Sequence, residues 1–264
     1  MTDLAPAPPP PVSWPVPDEP ISREPIVRVT LPVMLMRWTA LTYVHWRVDP
    51  DVVARSLPDG LTPDVLDGSA WVGLIPFVMR GVRPPGTPDV LPWVGDFPET
   101  NVRTYVVGPD GGRGVYFHSL EASRLGAVLA ARGAYGLPYT WARMRVTAAQ
   151  GTVRYSSRRR WPSPRGARSD LTVRVGTRLR SDEVTELDDF LAGRWSLYVD
   201  APWGLSRAPV DHPAWPLHRA EIVHLRDELV AAAGYGDLAS GVPDHVRVTP
   251  GVPVRVGLPR RVIP

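Results

Sequence analysis

Proline and glycine interrupt this chain so often, 32 and 23 times in 264 residues, that a long helix has almost nowhere to form. Proline removes a backbone donor and clashes with the preceding turn, while glycine ends regular elements. Short strands joined by turns satisfy such punctuation, so the chain reads as mainly β, or α+β. Hydrophobic residues at 44% and charged residues at 22% supply a core without the charge excess of a disordered chain. We expect a proline-rich arm over residues 1–30, disordered or draped on the surface, and one domain over residues 31–264.

Two residue types are missing. Without cysteine there are no disulfides, thiolate nucleophiles or cysteine-ligated metals. All 30 basic residues are arginine, so no side-chain amine exists for imine chemistry or for a phosphate-loop lysine. A net charge of +3 is a weak signal for nucleic acid. No apolar run reaches membrane-spanning length, and no basic start leads into an apolar segment, so the expectation is a cytoplasmic protein.

Along the chain, residues 34–48 (MLMRWTALTYVHWRV) read as a first long strand, and Asp49 caps a short helix at 50–57. Residues 69–83 (SAWVGLIPFVMRGVR) form a second strand, with Pro76 placing a bend or bulge inside it. Residues 84–97 (PPGTPDVLPWVGDF) are long and rigid enough for a rim or lid. Residues 101–107 and 114–120 then make a hairpin around GPDGGRG. With period two, Glu99, Asn101, Arg103 and Tyr105 share one face of a strand. A symmetric turn pairs Arg103 with His118 and Tyr105 with Tyr116, and a one-residue slip undoes that pairing.

Residues 121–132 (EASRLGAVLAAR) read as a helix with Leu125, Val128 and Leu129 on one side. Strands follow at 140–148, 151–160 and 170–180, then a short acidic helix over 182–193 and a strand at 194–201. Residues 207–225 fit either strand or helix, 226–234 give a last helical turn, and two strands end the chain. The sum is about ten strands and three or four short helices. Closure into a barrel hides the edges of such a sheet, and a barrel of that size encloses a ligand cavity.

Several blocks occur in an order that resembles the YqjF-like proteins, also called the DUF2071 family: HW within 43–47, LPDGL at 57–61, DGSAWVGLIPF at 67–77, FPETNVRTYV at 97–106, GVYFHSLEASRL at 114–125 and GLPY at 136–139. The resemblance continues through AWPLHRAEIVHLRDELVAAAG and HVRVTPGVPV. That family is similar in turn to acetoacetate decarboxylase, which implies a closed β-barrel or cone with peripheral helices. Glu99, the glycine turn and Arg132 leading into 136–139 match the decarboxylase pattern, but Tyr139 and Thr140 stand where it has paired lysines. A second acid expected near 71–76 is also missing. The resemblance implies the fold and the pocket position but not the imine reaction, since tyrosine cannot form an imine and the one amine left, at the N-terminus, sits on the proline-rich arm.

The candidate catalytic residues are Glu99, Tyr139 and His118. Glu99 is a proton carrier if the barrel desolvates it, or else an ion-pair partner of Arg103. Tyr139 and His118 are donors to a ligand oxygen, or groups that satisfy a backbone carbonyl. Candidate ligand-binding residues are Arg103, Arg132, Asn101, Tyr105 and Tyr116. The two arginines either clamp an anion or pair with Glu99 and Glu121. His45 beside Trp46 reads as packing against the wall. His212, His218 and His224 lack a completing carboxylate, so no metal is expected. No cofactor is implied. The expected partner is a small anionic or carbonyl-bearing molecule, handled by a lyase or isomerase or held by a non-catalytic binding or sensing barrel; self-association stays open, and neither nucleic acid nor a membrane is expected.

Overall fold

A computed structural model describes residues 14–87 and 95–262. In chain order the elements are β1 (Pro32–Val48), α1 (Pro50–Ala54), β2 (Thr62–Pro63), β3 (Ala70–Arg83), β4 (Phe97–Val107), β5 (Arg113–Ala122), α2 (Leu125–Tyr135), β6 (Tyr139–Ala149), β7 (Thr152–Trp161), β8 (Arg168–Arg178), α3 (Glu186–Ala192), β9 (Ser196–Ala201), β10 (Gly204–Asp211), β11 (His218–Asp227), β12 (His245–Gly257) and β13 (Arg260–Arg261). The mainly β class holds, with thirteen strands in one sheet among the described residues instead of about ten. The ambiguous stretch after Arg207 supplies β10 and β11, the two last strands merge through Gly251 (φ 119°) into β12, and β2 and β13 are two-residue edges.

Strand pairing runs β1–β3–β4–β5–β9–β10–β12 and back to β1. A second branch, β6–β7–β8–β11, leaves β5 and rejoins the sheet at β12. Strands β1, β3 and β4 are therefore walls common to two interiors. Every residue of β3 from Ala70 to Met79 is buried. Its odd residues Ile75, Phe77 and Met79 belong to a core bounded by β1, β4, β5 and β10, while its even residues Val72 and Leu74 pack with Val153, Tyr155, Leu171 and Val173 of the branch. A strand buried on both faces reads as a continuous apolar run, which is what residues 70–79 are. Pro76, without an N–H, falls where β1–β3 pairing is interrupted between Thr39 and Val44, opposite a bulge at Ala40 (φ 44°).

The hairpin β4–β5 forms with a register different from the symmetric one. Val102 opposes Ser119 but Arg103 opposes Phe117, so His118 is an extra, unpaired residue. This bulge turns Phe117 to the inner face with Arg103 and sends Tyr116 and His118 the other way. The predicted pairs Arg103–His118 and Tyr105–Tyr116 are replaced by Arg103–Phe117 and Tyr105–Val115. The helix expected over 121–132 also starts later, because Glu121 and Ala122 finish β5; Val128 is buried on it, while Leu125 and Leu129 are exposed.

The described end of the arm is draped on the surface. Asp18 N–H donates to Gly111 O at 3.0 Å, Glu19 pairs with Arg207 at 2.6 Å and Arg23 with Asp189 at 2.9 Å. Residues 1–13 of the arm and 88–94 of the expected rim loop lie outside the described residues. No helix among the described residues is long and apolar enough to cross a membrane.

Candidate functional site

The inner face of β4 borders a cavity of about 230 Å³. Its walls are largely apolar, and helix α2 contributes four alanines to it, Ala127, Ala130, Ala131 and Ala134, at the i, i+3, i+4, i+7 spacing of one helix face, together with Tyr135 at its end. Polar groups enter at a few points. Glu99, Asn101 and Arg103 follow one another on alternate positions of β4, and Tyr139 reaches them from the start of β6. The sequence delivers Tyr139 by stopping α2 at Gly136 (φ 68°), after which Pro138 cannot prolong the helix.

Glu99 is 1% exposed, and no arginine pairs with it among the described residues. The Tyr139 hydroxyl donates to its Oε2 at 2.7 Å. Burial pushes the Glu99 carboxyl up to about 8, against the opposing hydrogen bonds from Tyr139 and Asn101. Burial and the neighbouring Glu99 raise Tyr139 well above the ordinary phenol range, so its proton stays in place. The Asn101 Oδ1 atom is buried without a partner.

Arg103 lies farther along the strand, roughly 13 Å from Glu99 at four strand steps. It is buried, and no carboxylate pairs with it among the described residues. Its Nε donates to the Tyr105 hydroxyl at 3.2 Å and its Nη2 to Leu191 O at 3.1 Å. Arg194, also buried and on the cavity wall, donates Nη1 to Asp64 and Nε to Phe190 O at 2.6 Å, leaving Nη2 unpartnered. Asp64 is shared with Arg113, whose Nη1 is 2.6 Å away. Two arginines thus share one carboxylate while Arg103 has none among the described residues, and the surplus positive charge borders the cavity.

Behind Arg103 runs a buried chain of hydrogen bonds. Tyr105 OH is 2.6 Å from His45 Nε2, His45 Nδ1 is 3.1 Å from His245 Nδ1, and His245 Nε2 is 2.8 Å from Asp188 Oδ1. Burial lowers both histidines, His45 far below its usual range, so both are neutral. Burial works to raise Asp188, but hydrogen bonds from His245 and Thr185 together with Arg247 hold it well below the usual carboxylate range. A guanidinium can only donate and a carboxylate can only accept, so donation has one direction, from Arg103 through Tyr105, His45 and His245 to Asp188. The protons therefore sit on His45 Nδ1 and His245 Nε2. The chain fixes the plane of Arg103, and Gly73 makes room for it, since a Cβ there would lie 2.8 Å from the His45 ring.

Of the residues singled out from the sequence, the structure gathers Glu99, Asn101, Arg103 and Tyr139 at the cavity. Tyr105 is on the same face but lies under Arg103. His118 and Tyr116 point away from it: His118 Nε2 bonds the Tyr235 hydroxyl at 2.7 Å, and Tyr116 packs beside Leu61, Val106 and Tyr198. Arg132 is exposed, donates to Tyr139 O at 2.7 Å and covers the Trp161 ring at 5.1 Å, which makes it a brace for the Tyr139 backbone. Glu121 pairs with Arg159, not with Arg132. His45, read as wall packing, is a link in the chain behind Arg103. His212 lies between Trp195 and Trp215, its ring centroid 4.5 and 4.8 Å from theirs in tilted contacts, and it does not join His218 or His224 in a metal-binding group among the described residues.

The profile of DUF2071, described as an uncharacterized conserved protein, matches residues 35–253. The chain belongs to the DUF2071 family. Its relatives include the uncharacterized protein YqjF of Bacillus subtilis strain 168, 32% identical over 189 residues, which are 72% of this chain and 76% of YqjF. The DUF2071 chain is similar in fold to an acetoacetate decarboxylase-like enzyme from Sphingomonas wittichii RW1, with TM-score 0.60, 13% identity and coverage of 88% of this chain and 93% of that one. Acetoacetate decarboxylase from Legionella pneumophila subsp. pneumophila str. Philadelphia 1 gives TM-score 0.58 at 14% identity, covering 90% and 92%. The enduracididine biosynthesis enzyme MppR, complexed with the condensation product of pyruvate and imidazole 4-carboxaldehyde, gives 0.56 at 16%, covering 87% and 89%. At these identities the likeness is one of fold.

Proposed function

We propose that this DUF2071 protein binds a small organic acid or carbonyl compound in the cavity and moves a proton on it without covalent catalysis, as a lyase or isomerase. The observation that carries the reading is Glu99: a carboxyl buried at the cavity wall, free of any cationic partner among the described residues and hydrogen-bonded to Tyr139. A carboxyl pushed up to about 8 exchanges protons efficiently near neutral pH. Tyr139 steadies it, Arg103 and Arg194 draw the anionic end of the ligand, and the amide of Asn101 meets an oxygen or hydroxyl between them. With no lysine in the chain, no side chain can form an imine. A carbonyl acid is also the ligand of one fold neighbour, MppR, which is complexed with pyruvate.

The test is solvent deuterium incorporation into a panel of 2-oxo and 3-oxo acids, followed by NMR. The wild-type protein exchanges the proton next to the carbonyl of at least one acid. Glu99→Gln lowers that rate by about 10²–10⁴ while the dissociation constant of the acid stays within about threefold. Binding with no exchange above background in the wild type leaves a non-catalytic binding protein, and equal exchange in the variant removes Glu99 from the reaction.

A further inference from the structure

The head and the body of the cavity make opposite demands on an occupant. At one end Arg103 has no carboxylate partner among the described residues, Arg194 Nη2 is buried without an acceptor, and Asn101 Oδ1 is buried without a donor. Burying a cation unpaired is costly, and an incoming carboxylate meets two guanidinium groups whose charge Asp64 only partly offsets. Elsewhere the walls are Met34, Met36, Met79, Phe77, Trp38 and Trp215, with the two indoles stacked at 6.1 Å and 11°. A two- or three-carbon acid satisfies the head and leaves these walls facing empty space or unbonded water. An apolar cavity of about 150 Å³ already admits benzene, so about 230 Å³ has room for one six-membered ring and a short acidic chain.

We infer that the ligand class is a monocarboxylic acid with an aryl or medium-length alkyl tail, the carboxylate on Arg103 and Arg194 and the tail against the methionines and indoles. This rests on the proposed function for the site and narrows it. The alanine face of α2 is the specificity device. A larger side chain at Ala131, which lines the cavity and packs on the same core, takes the space of the tail.

Calorimetric and tryptophan-fluorescence titrations with acetate, butanoate, hexanoate, 3-phenylpropanoate, 3-phenylpropanamide and pyruvate decide it, on the wild type and on Ala131→Leu and Arg103→Gln. Affinity rises about fourfold per buried methylene, and 3-phenylpropanoate binds about 100-fold more tightly than acetate. The neutral amide and the Arg103→Gln variant each lose about tenfold or more. Ala131→Leu removes most of the gain for the long acids and leaves acetate nearly unchanged, which separates lost space from lost fold. Equal affinity for acetate and 3-phenylpropanoate, or an amide as tight as its acid, overturns the inference. If pyruvate binds and exchanges its protons with no gain from a longer tail, only the inference falls; if no acid of any length binds, the proposed function falls with it.

Discussion

Glu99 and Glu121 are both buried, on neighbouring strands, and served by successive residues of β6, yet their surroundings are opposite. Glu121, fully buried, is held by Arg159 at 2.5 Å and by the Thr140 hydroxyl, and it does not line the cavity. Glu99 faces the cavity with Tyr139 and Asn101 as its hydrogen-bond partners. Because side chains alternate along a strand, Tyr139 and Thr140 point to opposite faces and each supports one glutamate. A carboxylate matched to an arginine is a structural tie; one left without a cation beside empty space is free to exchange its proton. That contrast separates site from scaffold more cleanly than burial does.

Breaking the tie has the largest effect. Glu121→Ala leaves Arg159, 5% exposed, without its counter-charge, and we expect a loss of about 3–5 kcal/mol in urea unfolding at pH 7. A double variant, Glu121→Leu with Arg159→Met, recovers most of that loss, because removing both charges removes the unpaired one. A loss below about 1 kcal/mol in the single variant contradicts the structural role.

Glu99→Gln goes the other way. The folded carboxyl stands at about 8 against an ordinary 4.5, so between these values the folded protein holds a proton that the unfolded chain releases. Wild-type stability therefore falls as pH rises from about 4.5 through about 8. Glutamine imitates the protonated form at every pH, so the variant lacks this fall and becomes the more stable protein, by roughly 2–4 kcal/mol at pH 9 relative to its difference at pH 4. Parallel pH profiles for the two proteins sink the assignment. His212, lowered by burial to about 4, limits both on the acid side: its contribution is present above about 6.5 and is lost as pH falls toward 4.

A smaller effect on the structural side comes from Thr140→Val, which deletes one hydroxyl donor to Glu121 and costs about 1 kcal/mol. Ligand affinity and proton exchange stay unchanged, since Thr140 does not line the cavity. A change in either places Glu121 in the working site.

The sequence placed one half of this contrast well. Period two along 97–107 put Glu99, Asn101, Arg103 and Tyr105 on one face, and the block GLPY singled out Tyr139. It did not reveal the bulge at His118, because a one-residue insertion in VYFHSLEA carries no glycine or proline to mark it. Without the bulge, period two places His118 and Tyr116 on the Arg103 face, and the sequence leaves Arg132 as either an anion clamp or a partner of Glu121, whereas it braces the Tyr139 backbone. The arginine cluster and the chain behind it join distant parts of the sequence: Asp64 with Arg194 across 130 positions, His45 with His245 across 200 and His245 with Asp188 across 57. No local spacing encodes such contacts. At α3, Thr185 and Asp188 cap each other and hold the buried acid in position.

Tyr139→Phe tests the contrast at its finest. The hydroxyl donates to Glu99 and favours the charged carboxylate, so deleting it removes one of the two groups that oppose burial. The Glu99 midpoint should climb further, by roughly half a unit, read from the carboxyl carbon in a labelled protein titrated by NMR. The pH profile of proton exchange should shift upward by the same amount, with its maximum lowered because the carboxyl is less firmly aimed. Thr140→Val, one residue away on the opposite face, should leave the Glu99 midpoint where it is. A midpoint that falls in Tyr139→Phe would mean that the hydroxyl serves the neutral acid instead, and Tyr139 would then be a ligand donor in its own right and not the support of Glu99.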